Sequence, residues 1–296
     1  MQIFMNSENF DINRVLRKIS TRHHYIPRFL IEGFTNGNGF LYVFDKKKNK
    51  IFPKPRSVKS IFFELDRNTI SLKEGLESSV IEDELYSRMD DKASKIIKHF
   101  QKGELDIIDF TDESTAQFIF FLITLFWRIP YSDYAAMDLM DRSETISNVI
   151  IPEILMHKPT IQKIQRAGLF NHTIDEMRGA GEKGNICVNI HQFKKDVFVI
   201  GDNPLLFKRI PQLFSEFGEI DLLIALSSRR IYSSTKNELK NFKATNALQY
   251  NAAVINQSIR YICSSNIEVL KQSVQCYIEQ RCKGSELMLA QEAFET

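Results

Sequence analysis

Glycine-rich phosphate loops are missing from this sequence. Its 12 glycines form no Walker loop, no Gly-x-Gly-x-x-Gly and no Gly-x-Ser-x-Gly, and there is no His-Glu-x-x-His. That removes the commonest nucleotide, esterase and metalloprotease chemistries. The four cysteines, Cys187, Cys263, Cys276 and Cys282, include no Cys-x-x-Cys pair. A zinc knuckle is therefore not expected, and free thiols in a reducing cytoplasm are. No sign of charge dominates: 39 Lys and Arg against 37 Asp and Glu leave +2. Bulk charge thus argues against a strongly basic nucleic-acid footprint and leaves room only for a local patch. Long apolar runs are absent too. The most apolar stretch, 118–127, is interrupted by Thr124 and suits a buried core helix rather than a bilayer span. Residues 1–20 lack the continuous apolar stretch of a signal peptide and read as an N-terminal arm.

Hydrophobic residues make up 43% of the chain, enough for a real core, and Phe alone accounts for 23 positions. The densest chemistry lies in Arg22-His23-His24-Tyr25-Ile26-Pro27-Arg28-Phe29-Leu30. No other stretch gathers as many groups able to bind an anion, hold a metal or move a proton. Adjacent side chains on an extended segment point to opposite faces, so at most one of His23 and His24 is expected to face a given site. The His-His-x-x-Pro spacing is similar to the first part of an HNH nuclease motif. No further histidine follows before His99, so that mechanism is not carried over.

Periodicity divides the rest. Alternation over 40–45, a lysine turn at 46–48 and a return over 50–52 predict a β-hairpin. Ile81, Leu85, Met89, Ala93, Ile96 and Phe100 predict an amphipathic helix over 77–100. A helix apolar on all sides follows over 111–127, with Arg128 at its C-terminal end. Helices are expected over 133–156 and 160–169, and a flexible turn over 179–184. Strands are expected over 186–190, 196–200, 221–226 and 230–233. Thr235 and Glu238 read as a capping box opening a helix to about 256, before a strand over 260–263 and a helix over 266–281. The expected fold is α+β: a mainly helical body with a small, mostly antiparallel sheet, folded as one domain over 21–296.

Several motifs recur in an order that resembles domain-of-unknown-function family 4238. They are the His-His-Tyr-Ile-Pro-Arg-Phe-Leu opening with Gly33-Phe34, Arg128-Ile129-Pro130 after the apolar helix, and Gly201-Asp202-Asn203-Pro204. Leu226-Ser227-Ser228-Arg229 lacks the family's proline, and Asn246 opens a late helix. The resemblance spans roughly 22–265. It implies a domain extent and a site position, and no activity.

The leading functional expectation is a bacterial-type cytoplasmic hydrolase acting on a phosphoester or nucleic acid. His23 or His24 would be the base, and Asp202 its orienter or a ligand to a divalent metal. Arg28 and Arg128 would clamp the anion, with Asn203 and Arg229 as further substrate contacts. The competing expectation is a non-catalytic interaction module whose polar residues form a buried structural network. The expected partner is a nucleic acid or a phosphorylated small molecule, with no membrane role.

Overall fold

The structure is a computed structural model. It describes residues 20–71, 76–103, 112–134, 136–137, 158–179, 187–209, 211, 220–236, 239 and 241–295. The expected arm over 1–20 lies outside them except for Ser20. The expected helix over 133–156 and the expected turn over 179–184 lie almost wholly outside them.

The chain enters through strand β1 (Arg22–His24) and the short helix α1 (Arg28–Glu32), whose N-cap is Pro27. β2 (Phe40–Asp45), β3 (Lys50–Ile51) and β4 (Arg56–Ser57) form a ribbon, with β3 and β4 both antiparallel to β2. β5 (Phe63–Leu65) runs back along β1, placing Phe63 opposite His24. β6 (Ile70–Ser71) and β7 (Glu77–Ser78) make a second short pair. A π-helical turn over Ile81–Tyr86 then leads into α2 (Ser87–Lys102). The expected helix over 77–100 therefore begins as a strand and a wide turn. A π turn rotates each residue less than an α turn, so the junction keeps Glu82, Tyr86 and Asp90 on one stripe. All three meet Arg128.

The apolar helix is α3 (Asp112–Arg128). Every residue from 121 to 129 is buried. It packs against α2 and α4 (Lys158–Gly179), which is longer than the expected 160–169. Then come β8 (Cys187–Gln192), β9 (Ile200–Gly201), β10 (Leu206–Phe207), β11 (Leu222–Ser227) and β12 (Arg230–Thr235). α5 (Ala244–Gln257), β13 (Tyr261–Ser264), α6 (Ile267–Cys282) and α7 (Leu289–Ala293) follow.

The α+β expectation holds. One antiparallel sheet has the order β10-β11-β12-β8 and comes from the expected region. The N-terminal hairpin belongs to another, of order β3-β2-β13-β9, with β4 on β2 as well. Two expectations need correction. Residues 196–199 are not a strand, because the Asn251 side chain takes the place of a neighbouring strand. Its amide donates to Val197 O and its oxygen accepts from Val199 N–H, at 2.7 and 3.1 Å. Thr235 does not cap a helix but closes β12. The helix starts at Ala244, where the Asn246 side chain accepts the Lys243 N–H at 3.0 Å. One apolar cluster reaches from Tyr25 to Phe294 and joins both larger sheets to α2, α3, α5 and α6.

Candidate functional site

The sequence pointed to the opening stretch, and the structure ties that stretch into a charged circuit. His23 is fully buried. Its Nδ1 accepts the Asn68 N–H at 2.9 Å, and its Nε2 lies 3.1 Å from the Ser20 carbonyl, to which it donates. Both nitrogens are thus engaged by the backbone, which fixes one neutral tautomer. Asn68 belongs to a closed ring of contacts. Its side-chain nitrogen donates to Glu82 at 2.8 Å, and Glu82 pairs with Arg128 at 3.1 Å. The Arg128 carbonyl accepts from Arg67 Nε at 3.1 Å, and Arg67 pairs with Asp133 at 2.7 Å. Asp133 pairs with Arg166 at 2.9 Å, and Arg166 returns to the Asn68 oxygen at 2.6 Å. Asp90 holds Arg128 with both oxygens, at 3.0 and 2.9 Å, and the Tyr86 ring lies 4.6 Å beneath its guanidinium.

Arg128, 2% exposed, is therefore not an open clamp. Burial opposes its charge, but Asp90 and Glu82 outweigh burial and raise its pKa further. A buried arginine with this many partners is costly to break and of little net gain to stability. Glu82 of the π turn thus pairs with Arg128, while Glu84 two residues on pairs with exposed Arg88 at 2.7 Å.

His24 is the different one of the two histidines. Its ring packs against Phe63 at 5.7 Å, and its Nε2 is enclosed with no hydrogen-bond partner among the described residues. Burial lowers its pKa to about 4, helped by the positive charges of Arg128 and Arg28 and opposed by a Val58 backbone hydrogen bond and Glu82. Arg28 itself is exposed.

Asp202 stands elsewhere. One oxygen accepts Ile259 N–H at 2.7 Å, and the other accepts Arg260 and Tyr261 N–H at 2.7 and 2.9 Å. Burial pushes its carboxyl up while those three backbone donors pull it down. The residue of the opening stretch that feels its charge is Tyr25, whose hydroxyl is raised by burial and then by Asp202. No hydrogen bond or ion pair joins Asp202 to either histidine among the described residues. Asn203 is buried, with its carbonyl 2.8 Å from the Gln257 amide that donates to it. No group of three or more His, Cys, Asp and Glu among the described residues has metal-binding geometry.

An open polar cleft of about 390 Å³ lies under the end of α1, lined by Thr35, Asn36, Gln192, Asp196, Ser228 and Arg229 among others. Gly33 O accepts the Ser228 N–H at 2.9 Å, and the Gln101 amide bridges the Phe29 and Leu226 carbonyls at 3.0 Å each. A Cβ on Gly33 would fall 2.7 Å from the Leu226 carbonyl, so only glycine fits. Across the cleft, Asp196 accepts from Arg229 Nε at 2.6 Å, Ser265 at 2.8 Å and Ser228 at 3.1 Å. Burial alone would raise the Asp196 carboxyl, but these donors prevail and lower it. Arg229 keeps 57% of its side chain exposed, with neither Nη group engaged among the described residues.

The opening stretch, Arg128-Ile129-Pro130, the Asp202 turn and the Ser227–Arg229 turn thus occupy structural corners in the order they have along the chain. A family model described as a protein of unknown function (DUF4238) matches residues 22–268. The chain belongs to this family. No curated protein and no solved structure matches it. Within the DUF4238 match lie Arg67, Asn68, Asp133, Arg166 and Asp196, which the sequence reading passed over. Isolated charges on loops and helix flanks look like solvated residues. Only the fold shows that Arg67, Arg128 and Arg166 meet, and Arg166 sits on a helix whose apolar face is weakly marked.

Proposed function

We propose that this chain is an interaction module that holds a phosphorylated ligand in the cleft, with Arg229 as the anion-binding group. The observation that carries this reading is the bond from Asp196 to Arg229 Nε. It fixes the guanidinium plane and leaves both Nη groups open, the two donors that grip a phosphate side by side. The hydroxyl of Ser228, bonded to the same carboxylate, stiffens the arrangement. The cleft has the volume for a small phosphorylated molecule. Its described lining offers no histidine or cysteine, and its carboxylate Asp196 is already paired. This favours binding over hydrolysis. Cys263, Cys276 and Cys282 as free thiols support a reducing compartment such as the cytoplasm.

The hydrolase reading keeps one specific support. His24 is neutral near pH 7 and has an unpartnered nitrogen, with exposed Arg28 close by. One experiment separates the two. Purified protein is titrated by calorimetry with a panel of phosphorylated metabolites and their dephosphorylated counterparts, and the same panel is assayed for turnover. The binding reading expects phosphate-dependent binding without turnover, weakened about tenfold or more by Arg229→Lys. Turnover abolished by His24→Gln and indifferent to Arg229→Lys would replace it with the hydrolase.

A further inference from the structure

The lysine turn of the hairpin is part of a larger surface. Between residues 46 and 60 there are seven Lys and Arg, and no Asp or Glu. The whole chain is +2 and this segment +7, so the remaining residues are net −5. Lys46 turns inward and donates to the Asn256 and Ser258 carbonyls at 2.6 and 2.9 Å. The other six, Lys47, Lys48, Lys50, Lys54, Arg56 and Lys59, are exposed.

Aromatic rings lie among these cations. Phe52 N–H donates to Val43 O at 2.8 Å, and Tyr261 is the ladder partner of Asp45. Val43 and Asp45 share a face of β2, so Phe52 and Tyr261 stand on that same face. Their rings meet edge to face at 6.2 Å. The Arg56 guanidinium lies 4.9 Å over Phe52, and that of Arg260 lies 4.5 Å over Tyr261. The result is a row: arginine, phenylalanine, tyrosine, arginine. The acids whose charge reaches the Tyr261 hydroxyl are Asp45 and Asp202, both buried. Asp202 is held by backbone N–H groups and Asp45 lies 3.5 Å from Arg260. The exposed charge along the row is positive.

We propose that this row and the five exposed lysines of the same segment form a binding surface for single-stranded nucleic acid. Aromatic rings and guanidinium planes stack on unpaired bases, and flanking lysines neutralise the phosphates between them. A duplex hides the base faces that the row would stack upon. A patch of lysines alone would suit any anionic surface. The interleaved rings are what favour bases. No residue of the row or of the 46–60 segment lines the Arg229 cleft, so the surface stands or falls independently of the phosphorylated-ligand reading.

The test measures anisotropy of a labelled oligo(dT) of about 20 nucleotides with the full chain across a salt series, beside a duplex of equal length and phosphatidylserine vesicles. Binding to the single strand should weaken with salt. Lys47→Glu, Lys48→Glu and Lys54→Glu together should flatten the slope of log K on log salt by about 2. Phe52→Leu keeps the apolar volume but removes the ring, and should weaken binding about tenfold. Arg229→Lys should leave it unchanged. Circular dichroism of each variant checks that the fold is intact. The proposal is overturned by no binding to the single strand, by duplex binding of equal strength, or by folded Phe52→Leu binding as wild type. Vesicle binding that ignores Phe52→Leu, with no oligonucleotide binding, would overturn it in favour of a membrane surface.

Discussion

The two adjacent histidines show how far a single residue type can be read. Alternation along a strand required His23 and His24 to part, and they do: one is locked by backbone groups and the other has a free nitrogen. Nothing local distinguished which was which, because the deciding neighbours, Asn68 and Phe63, come from a strand and turn some 40 residues later. His24 has a measurable consequence. Its native ring resists a proton down to about pH 4, while an unfolded histidine accepts one near 6.5. Between those values the unfolded state binds more protons, so stability falls as pH falls. Allowing for solvent screening of a part-exposed ring, the loss by pH 4 is about 1–2 kcal/mol. Urea unfolding at pH 7 and at pH 4.5 should show a smaller loss for His24→Gln than for wild type. Equal losses would mean that His24 does not carry the effect. Asp202 teaches the opposite lesson. A carboxylate after a strand end has the same letters whether it serves a substrate or three backbone N–H groups of a loop 57 residues on.

At the scale of elements, legibility followed local periodicity. The hairpin, the apolar helix and strands β8, β11 and β12 carried their patterns in consecutive residues and lie close to where the sequence placed them, whereas the two-residue β10 had no expected counterpart. One misplaced piece, 196–199, is where a distant side chain, that of Asn251, replaces a backbone partner. α3 offers a graded test. Phe121 is buried against Phe29 and Phe118, whereas Phe120 is partly exposed and meets Phe170 edge-on. Phe121→Ala should cost about 3–5 kcal/mol, and Phe120→Ala clearly less. Thermal melts that rank the two the other way would reverse the assigned core face. The end of α2 shows a tighter constraint. Gly103 has φ +81, and a Cβ there would overlap the Arg230 guanidinium, which donates to the Phe100 carbonyl. That glycine both ends the helix and makes room for the arginine of another sheet.

For the whole molecule we propose that residues 21–296 fold as one domain. The apolar cluster takes members from both ends, and the charged circuit joins the turn after β5, the π turn, α3 and α4. Calorimetry should then show one transition whose calorimetric and van't Hoff enthalpies agree. Arg166→Met, which opens the circuit at Asp133 and Asn68, should shift that transition as a unit. A split into two transitions would argue for two domains. Almost none of this circuit was legible beforehand, since its members are scattered from 67 to 166 and their meeting depends on tertiary packing.

The pairing of β2 with β13 also has a consequence in time. Phe44 is opposite Ile262, so the strand leaves the ribosome about 200 residues before its partner does. At roughly 5–20 residues per second, that edge waits on the order of 10–40 s with its hydrogen-bonding groups unmet. An unpaired strand edge is where newly made chains stick to one another. The lysines that follow β2 repel such neighbours during the wait, so the charges assigned above to a proposed nucleic-acid surface would also protect the unfinished chain.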